Sequence, residues 1–381
     1  RRSYGACTMI YMTKCARVCT EECTLIDDIP YPQFAHILPE TYRRAKTGLS
    51  YPPHKLLEGI LAPSIISYVR NTRTKGKTAF LFAAGNQGWM GHTNRYDQDP
   101  NTALHYKTKL PFITLTNIYA GRIAAQFGPV DHISTDATAC ASSLKIMMDV
   151  KNLIDNYGFS RVIVLSGEDA VNNLSLEFFG EAGASLQYEV EEAEQILPSA
   201  FDSTNRGFYL GQGAVLAVFE DEPTEVPKPI ARFLGAYTAS EDNSNPLGQR
   251  EDGSGYSKAI EGALYVAKID PNVVKLVKTH GTGTPVNNAA ERNALQSSLK
   301  EFVATSYKPV IGHTMGASGL LETTLLIDDI VGANQVPAIL NRTEDDDVFL
   351  SDNVPAPDGV ILSLAAGMGN VFSAALFEVV R

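Results

Sequence analysis

An α/β layered protein is predicted from three features of the 381-residue chain. Short apolar runs of strand length recur through it, helical patterns lie between many of them, and no low-complexity linker or short-period repeat interrupts the alternation. Strands are expected at 78–84, 132–137, 161–166, 214–219, 273–278, 360–364 and 373–380. A further strand-like stretch, 6–18, alternates and is rich in Thr, Ile, Tyr and Met. Helices are expected at 114–127, 141–156, 258–267, 288–302 and 319–331.

Two of these helices carry the clearest signals. The 141–156 segment gathers Leu144, Met147, Met148 and Ile154 on one face, a pattern of core packing. The 319–331 segment carries Leu320, Leu321, Leu325 and Ile327 in a nearly all-apolar run, which predicts deep burial. Each follows a turn holding a chemically reactive residue. That parallel hints at a duplicated βα design, although the two halves share little visible sequence.

Composition excludes several classes. A hydrophobic fraction of 44% with 20% charged residues is that of an ordinary globular protein, and no run of about 20 apolar residues is present to span a membrane. The segment opening Arg1-Arg2-Ser3 has no apolar run before a small-residue cleavage site, so no signal peptide is visible. A net charge of -11 argues against nucleic-acid binding. The acidic runs 189–194 and 345–347 read as solvated surface. Of five cysteines, Cys7, Cys15, Cys19 and Cys23 lie near the start and Cys140 stands apart. With no CxxC or nearby His pair, the first four read as structural thiols rather than a metal site, and a reducing cytoplasm is expected.

Cys140 lies among small residues in Asp136-Ala137-Thr138-Ala139-Cys140-Ala141-Ser142-Ser143-Leu144, at a strand-to-helix junction. The free N–H groups at a helix start favour a thiolate and are expected to lower its pKa from about 8.5. A lone buried cysteine is more often inert, so other features must decide. Lys278-Thr279-His280-Gly281-Thr282-Gly283-Thr284-Pro285 ends an apolar strand in a Gly/Thr-rich turn. Lys308-Pro309-Val310-Ile311-Gly312-His313-Thr314-Met315-Gly316-Ala317-Ser318-Gly319 presents a second imidazole in the same manner. One thiol in a turn of small residues and two histidines in glycine-edged turns are hard to explain by packing alone. No GxSxG, HExxH or Walker loop competes, and Gly211-Gln212-Gly213 reads as a hairpin turn.

These three segments resemble, in order and separation, the nucleophile and histidine motifs of the β-ketoacyl synthases, the thiolase-fold condensing enzymes of fatty-acid and polyketide synthesis. The resemblance extends from about Pro39 to the C-terminus, including helix 117–127 and hairpin 201–220. It implies a five-layered αβαβα thiolase-like fold of two pseudo-symmetric halves, 1–220 with the nucleophile and 221–381 with both histidines. It further implies that Cys140 carries an acyl chain, that the backbone N–H groups of Cys140 and Met368 form an oxyanion hole, and that His280 and His313 stabilise an enolate. Lys308 and Glu322 match the polar pair that orients the second histidine, and Glu291 matches a supporting carboxylate. Thr282 and Thr284 match residues that hold a phosphopantetheine arm.

No permanently bound cofactor or metal is implied, because substrates travel on the phosphopantetheine of an acyl carrier protein. Arg43 and Arg44, followed by Lys46, fall where the family receives that carrier, although a solvated helix explains them nearly as well. The strand at 132–137 implies pairing into a homodimer, or a heterodimer with a ketosynthase-like subunit. The absence of a cysteine after Cys140 separates the chain from coenzyme A thiolases, and His313 places it with the elongating synthases. The implied activity is decarboxylative Claisen condensation with malonyl-acyl carrier protein. Two other readings stay open: an acyltransferase making an ester or amide without decarboxylation, and a supporting subunit of a heterodimer.

The sequence departs from the family pattern in three places. Gly367-Met368-Gly369-Asn370 has Met368 where a gating phenylalanine usually sits, Asn288 replaces an acidic residue, and the region before Pro39 is short. These departures direct the expectation toward a specialised type II polyketide or aryl polyene synthase.

Overall fold

The computed structural model describes residues 9–19, 63–72, 74–85, 115–168, 170, 173–186, 198–203, 207–211, 213–222, 229–344, 346 and 348–380. In chain order its elements begin with β1 (Ile10–Cys19), α1 (Pro63–Asn71), β2 (Lys77–Ala83), α2 (Thr116–Ala124) and β3 (His132–Asp136). Two helical segments, α3 (Ser142–Lys145) and α4 (Met147–Tyr157), lead to β4 (Phe159–Glu168), α5 (Asn173–Glu181) and β5 (Gly213–Glu220). The second half opens with β6 (Ala231–Ser240), α6 (Ser254–Ala267), β7 (Val274–Lys278), α7 (Pro285–Ser298) and β8 (Val303–Thr305). It continues through α8 (Lys308–Ile311), α9 (Ser318–Ala333), a small pair β9 (Gln335–Val336) and β10 (Val354–Pro355), then β11 (Val360–Gly367) and β12 (Val371–Val379).

The strand order is β3-β2-β4-β5-β1-β6-β12-β11-β7-β8. Counted inward from its outer edge, each half has two parallel pairings followed by two antiparallel ones. The halves meet where Ile10–Met12 of β1 pairs antiparallel with Ala231–Phe233 of β6. A pseudo-twofold therefore runs through the centre of the molecule, relating β3 to β8 and β2 to β7.

Burial defines the layers. Ile65, Ala120, Ile123 and Phe127 cover one face of the first half through Phe80, Phe82, Ile163 and Leu216. Tyr256, Ile260, Ala294 and Leu295 cover the far face of the second half through Val277, Leu362 and Leu376. Between them, Leu144, Met147 and Ile154 join Leu320, Leu326 and Ile327 in a core shared with both sets of strands. The sequence is helix, sheet, helix, sheet, helix, the five layers expected. All ten residues of β4 are buried, as befits a strand covered on both faces. Its one cation, Arg161, donates to Glu220 at 2.7 Å and to the Val69 and Thr72 carbonyls of the outer layer.

The expected strands are present with shifts of a few residues. The strand β6 was not expected: it alternates between buried and half-buried only at its start, becomes half-buried to exposed at its end, and Gly235 interrupts its apolar run. The helix expected at 141–156 is broken at Ile146 into α3 and α4. The helix expected at 288–302 starts earlier, with Pro285 at its first turn, and ends at Ser298.

Candidate active site

Cys140 sits in a 3-10 turn, Ala139–Ala141, between β3 and α3. Ala139 holds a left-handed backbone, φ 47°, which swings the chain sharply into the helix. The thiol is buried among Ala170, Phe179, Phe208, Leu210 and Met315, and its Sγ lies 3.7 Å from Met315 Sδ. The expected lowering of its pKa is overturned. Loss of hydration pushes Cys140 up to about 12, Lys308 offsets part of that, and Glu168 adds to it. The four-residue α3 that follows supplies a weaker field than the continuous helix expected.

His280 follows β7 and is held by a carboxylate clamp. Glu291 accepts from the backbone N–H of His280 at 2.5 Å and of Gly281 at 2.9 Å, and from Asn287 Nδ2 at 3.1 Å. Gly281 needs its left-handed φ of 54°, and a Cβ there would meet Ser306 Oγ at 2.3 Å. His313 follows α8; its N–H donates to the Tyr209 carbonyl at 2.6 Å and its carbonyl accepts from Gly211 N–H at 2.9 Å. The two imidazoles meet edge to face, 5.5 Å between centroids, and Phe208 lies 4.8 Å from His313. Phe208 thus touches both the Cys140 cluster and His313. Burial holds both histidines well below the usual imidazole range, Lys308 reinforcing it, so both are neutral at pH 7. Each Nδ1 is buried without a hydrogen-bond partner.

A polar centre lies behind them. Lys308 Nζ donates to Glu322 at 2.9 and 3.2 Å, Lys278 Nζ donates to Glu322 at 3.2 Å and to the Leu364 carbonyl at 2.7 Å, and Ser318 Oγ donates to Glu322 at 2.5 Å. Lys308 and Glu322 pair as the resemblance implied. Thr282 is buried and Thr284 half-buried at the mouth of the His280 turn, with hydroxyls 3.1 Å apart.

On its other side, Cys140 opens into a pocket of about 510 Å³, including its mouth, lined in part by Glu168, Ser175, Phe178, Phe179, Met315 and Met368. Glu168 is buried at the end of β4 and accepts from Gly85 N–H at 2.5 Å and Gly316 N–H at 3.1 Å. The segment ahead of Met368 packs on the nucleophile turn: a Cβ on Gly367 would meet the Thr138 carbonyl oxygen at 2.6 Å.

Cys140, His280, His313, Lys308, Glu322, Glu291, Thr282, Thr284 and Met368 thus gather in one region. Arg43, Arg44, Lys46, Cys7 and Cys23 lie outside the described residues, as does the acidic run 189–194. Sequence reasoning missed Lys278, Glu168, Met315 and Phe208. For the first two a signal existed: each is a charge closing an apolar strand, which must find a partner once buried.

Two family descriptions match the chain: the β-ketoacyl synthase N-terminal domain over residues 67–224 and the β-ketoacyl synthase C-terminal domain over 230–341. The chain belongs to the β-ketoacyl synthase family. Among its relatives, 3-oxoacyl-(acyl-carrier-protein) synthase 2 of Vibrio cholerae is 28% identical over 268 residues, covering 68% of this chain and 64% of that protein. The 3-oxoacyl-(acyl-carrier-protein) synthase homolog of Saccharomyces cerevisiae is 28% identical over 284 residues, covering 69% and 62%. The β-ketoacyl synthase matches thus span about three fifths of the length of these curated relatives.

Solved structures share the fold along nearly the whole chain. One is a type II polyketide ketosynthase in complex with its acyl-carrier protein and bound to a hexaketide: TM-score 0.80, 18% identity, covering 99% of this chain and 100% of that one. A β-ketoacyl synthase from Burkholderia phymatum gives 0.76 at 19% identity, covering 98% and 100%. A ketosynthase in complex with its chain length factor from Xenorhabdus doucetiae gives 0.74 at 16% identity, covering 100% of both.

Proposed function

We propose that the chain is an elongating β-ketoacyl synthase, joining a Cys140-bound acyl group to a malonyl unit on an acyl carrier protein. The observation that carries this reading is the convergence of one thiol and two neutral histidines, with Phe208 touching both the thiol's cluster and His313. A neutral imidazole has one N–H to donate and does not quench a carbanion by giving up a full proton.

In the first half-reaction the Cys140 thiol loses its proton as sulfur attacks the acyl thioester, and the carrier's thiolate leaves and takes up a proton. The backbone N–H groups of Cys140 and Met368 receive the tetrahedral oxyanion. In the second, the malonyl C–C bond to the carboxylate breaks, carbon dioxide departs, and the electron pair forms an enolate. Its oxygen accepts hydrogen bonds from His280 and His313. The enolate carbon attacks the Cys140 thioester, and the tetrahedral adduct expels the Cys140 thiolate, which regains a proton. Lys308, Glu322 and Glu291 hold the histidines' surroundings, and Thr282 with Thr284 offers hydroxyls to a phosphopantetheine arm. Substrates arrive on the carrier, with no bound cofactor required.

The division into a nucleophile half, 1–220, and a histidine half, 221–381, belongs to the same proposal, as do a cytoplasmic setting and carrier docking at Arg43 and Arg44. Solved structures of similar fold, one a type II polyketide acyl-carrier protein with its ketosynthase and one a ketosynthase with its chain length factor, support a paired assembly of this chain in a polyketide-type system. Among the described residues no helix is long and apolar enough to cross a membrane.

Purified protein incubated with an acyl carrier is expected to gain the acyl mass on Cys140, and to release carbon dioxide once malonyl carrier is added. Acyl transfer to an alcohol or amine without carbon dioxide would instead establish the acyltransferase reading. A Cys140→Ala variant that leaves an assembled complex fully active would establish the supporting-subunit reading.

A further inference from the structure

The polar centre behind the histidines holds one more cation than the resemblance assigns. Lys278 closes β7 two residues before His280, and its side chain, with those of Lys308 and Glu322, is at most 1% exposed. Its ammonium is fixed between the Leu364 carbonyl of β11 at 2.7 Å and Glu322 of α9 at 3.2 Å. Lys308 reaches the same carboxylate from α8 at 2.9 Å. One carboxylate braced by two ammonium groups and by Ser318 has no freedom to turn. Removing either lysine leaves a buried charge under-compensated.

We propose that Lys278 is a positioning residue of this site: by sharing Glu322 with Lys308 it fixes the ion triad against which His280 and His313 are held as neutral donors. The groups facing it are Glu322 from α9, Lys308 from α8, Glu291 from α7, the Leu364 carbonyl from β11, and the two imidazoles. Burial lowers Lys278 to about 8 against the upward pull of Glu322. Below about pH 8 the triad is therefore complete, and above it Lys278 is neutral and Glu322 keeps only Lys308 and Ser318. Its charge also helps hold both imidazoles neutral.

The kinetic part of this inference rests on the ketosynthase reading; the spectroscopic part does not. In protein with ¹⁵N-labelled histidine, the His280 and His313 imidazole resonances are expected to step with a midpoint near pH 8. Lys278→Met abolishes that step and lowers the decarboxylation kcat at pH 7 on the order of tenfold, with the KM for malonyl carrier unchanged. Lys278→Gln, which keeps a donor for the Leu364 carbonyl, serves as the second variant, and wild-type protein alone decides if neither folds. A structural brace would lower the melting temperature without moving the imidazoles. Imidazole resonances with no step near pH 8, or a folded Lys278 variant with wild-type kcat, would overturn the proposal. Wild-type protein that releases no carbon dioxide from malonyl carrier overturns the ketosynthase reading and leaves the resonance test standing.

Discussion

The turns at 138–142 and 314–318 occupy equivalent places in the two halves, one after β3 and one after β8. Thr138-Ala139-Cys140-Ala141-Ser142 and Thr314-Met315-Gly316-Ala317-Ser318 share their first, fourth and fifth residues. Both start a 3-10 turn with a left-handed non-glycine residue, Ala139 at φ 47° and Met315 at φ 49°, and both run into a helix. The helices touch across the pseudo-twofold, where Leu320 N–H donates to Ser143 Oγ at 3.1 Å. Position for position, Gly316 stands where Cys140 stands. The backbone is common property of the fold, and the chemistry comes from which turn keeps a side chain.

Three measurements break or sharpen this comparison. The largest effect is expected in alkylation of Cys140. With the thiol near 12, the thiolate fraction rises about tenfold per pH unit, so iodoacetamide labelling followed by mass spectrometry should accelerate on the order of 1,000-fold from pH 7 to 10. A plateau above pH 8.5 would mean the turn leaves its cysteine ordinary. Next comes Gly316→Ala. A Cβ there would meet Gly85 N at 2.2 Å and Glu168 Oε2 at 2.8 Å, so a loss of about 1–3 kcal/mol is expected in urea denaturation. An unchanged midpoint would show that the second turn has room to spare. The smallest effect is that of Ala139→Gly. It relieves a left-handed φ but adds freedom to the unfolded chain, so stability should rise by less than about 1 kcal/mol. A clear loss would mean that the Ala139 methyl is needed for packing.

Much of this arrangement was legible in the residues. Strands such as 161–166 and 214–219 announced themselves by short apolar runs, and the buried α9 by apolar residues recurring over more than a strand's length. The three candidate residues were visible because turns break the apolar patterns where each stands, glycine-edged at His280 and His313 and built of small residues at Cys140. Legibility failed where tertiary burial decides. The helix-start rule predicted an acidic thiol at Cys140, but the side chains of Phe179, Phe208 and Met315 that strip water from it come from distant segments. The Thr-x-x-Ala-Ser-x-Leu pattern shared by 138–144 and 314–320 is too short to signal duplication until the strand order confirms it. Lys278 and Glu168 carried a readable warning, a charge at the end of a buried strand, but not the identity of their partners.

The closeness of Gly85 to Gly316 has a consequence for stoichiometry. Any side chain at 316 must first displace the Gly85 amide and the Glu168 carboxylate that receives it. The second turn therefore cannot take on the tethering role proposed for Cys140 by a single exchange. On the ketosynthase reading proposed above, an assembly built from such chains would hold no more growing products at these paired turns than it has copies of Cys140.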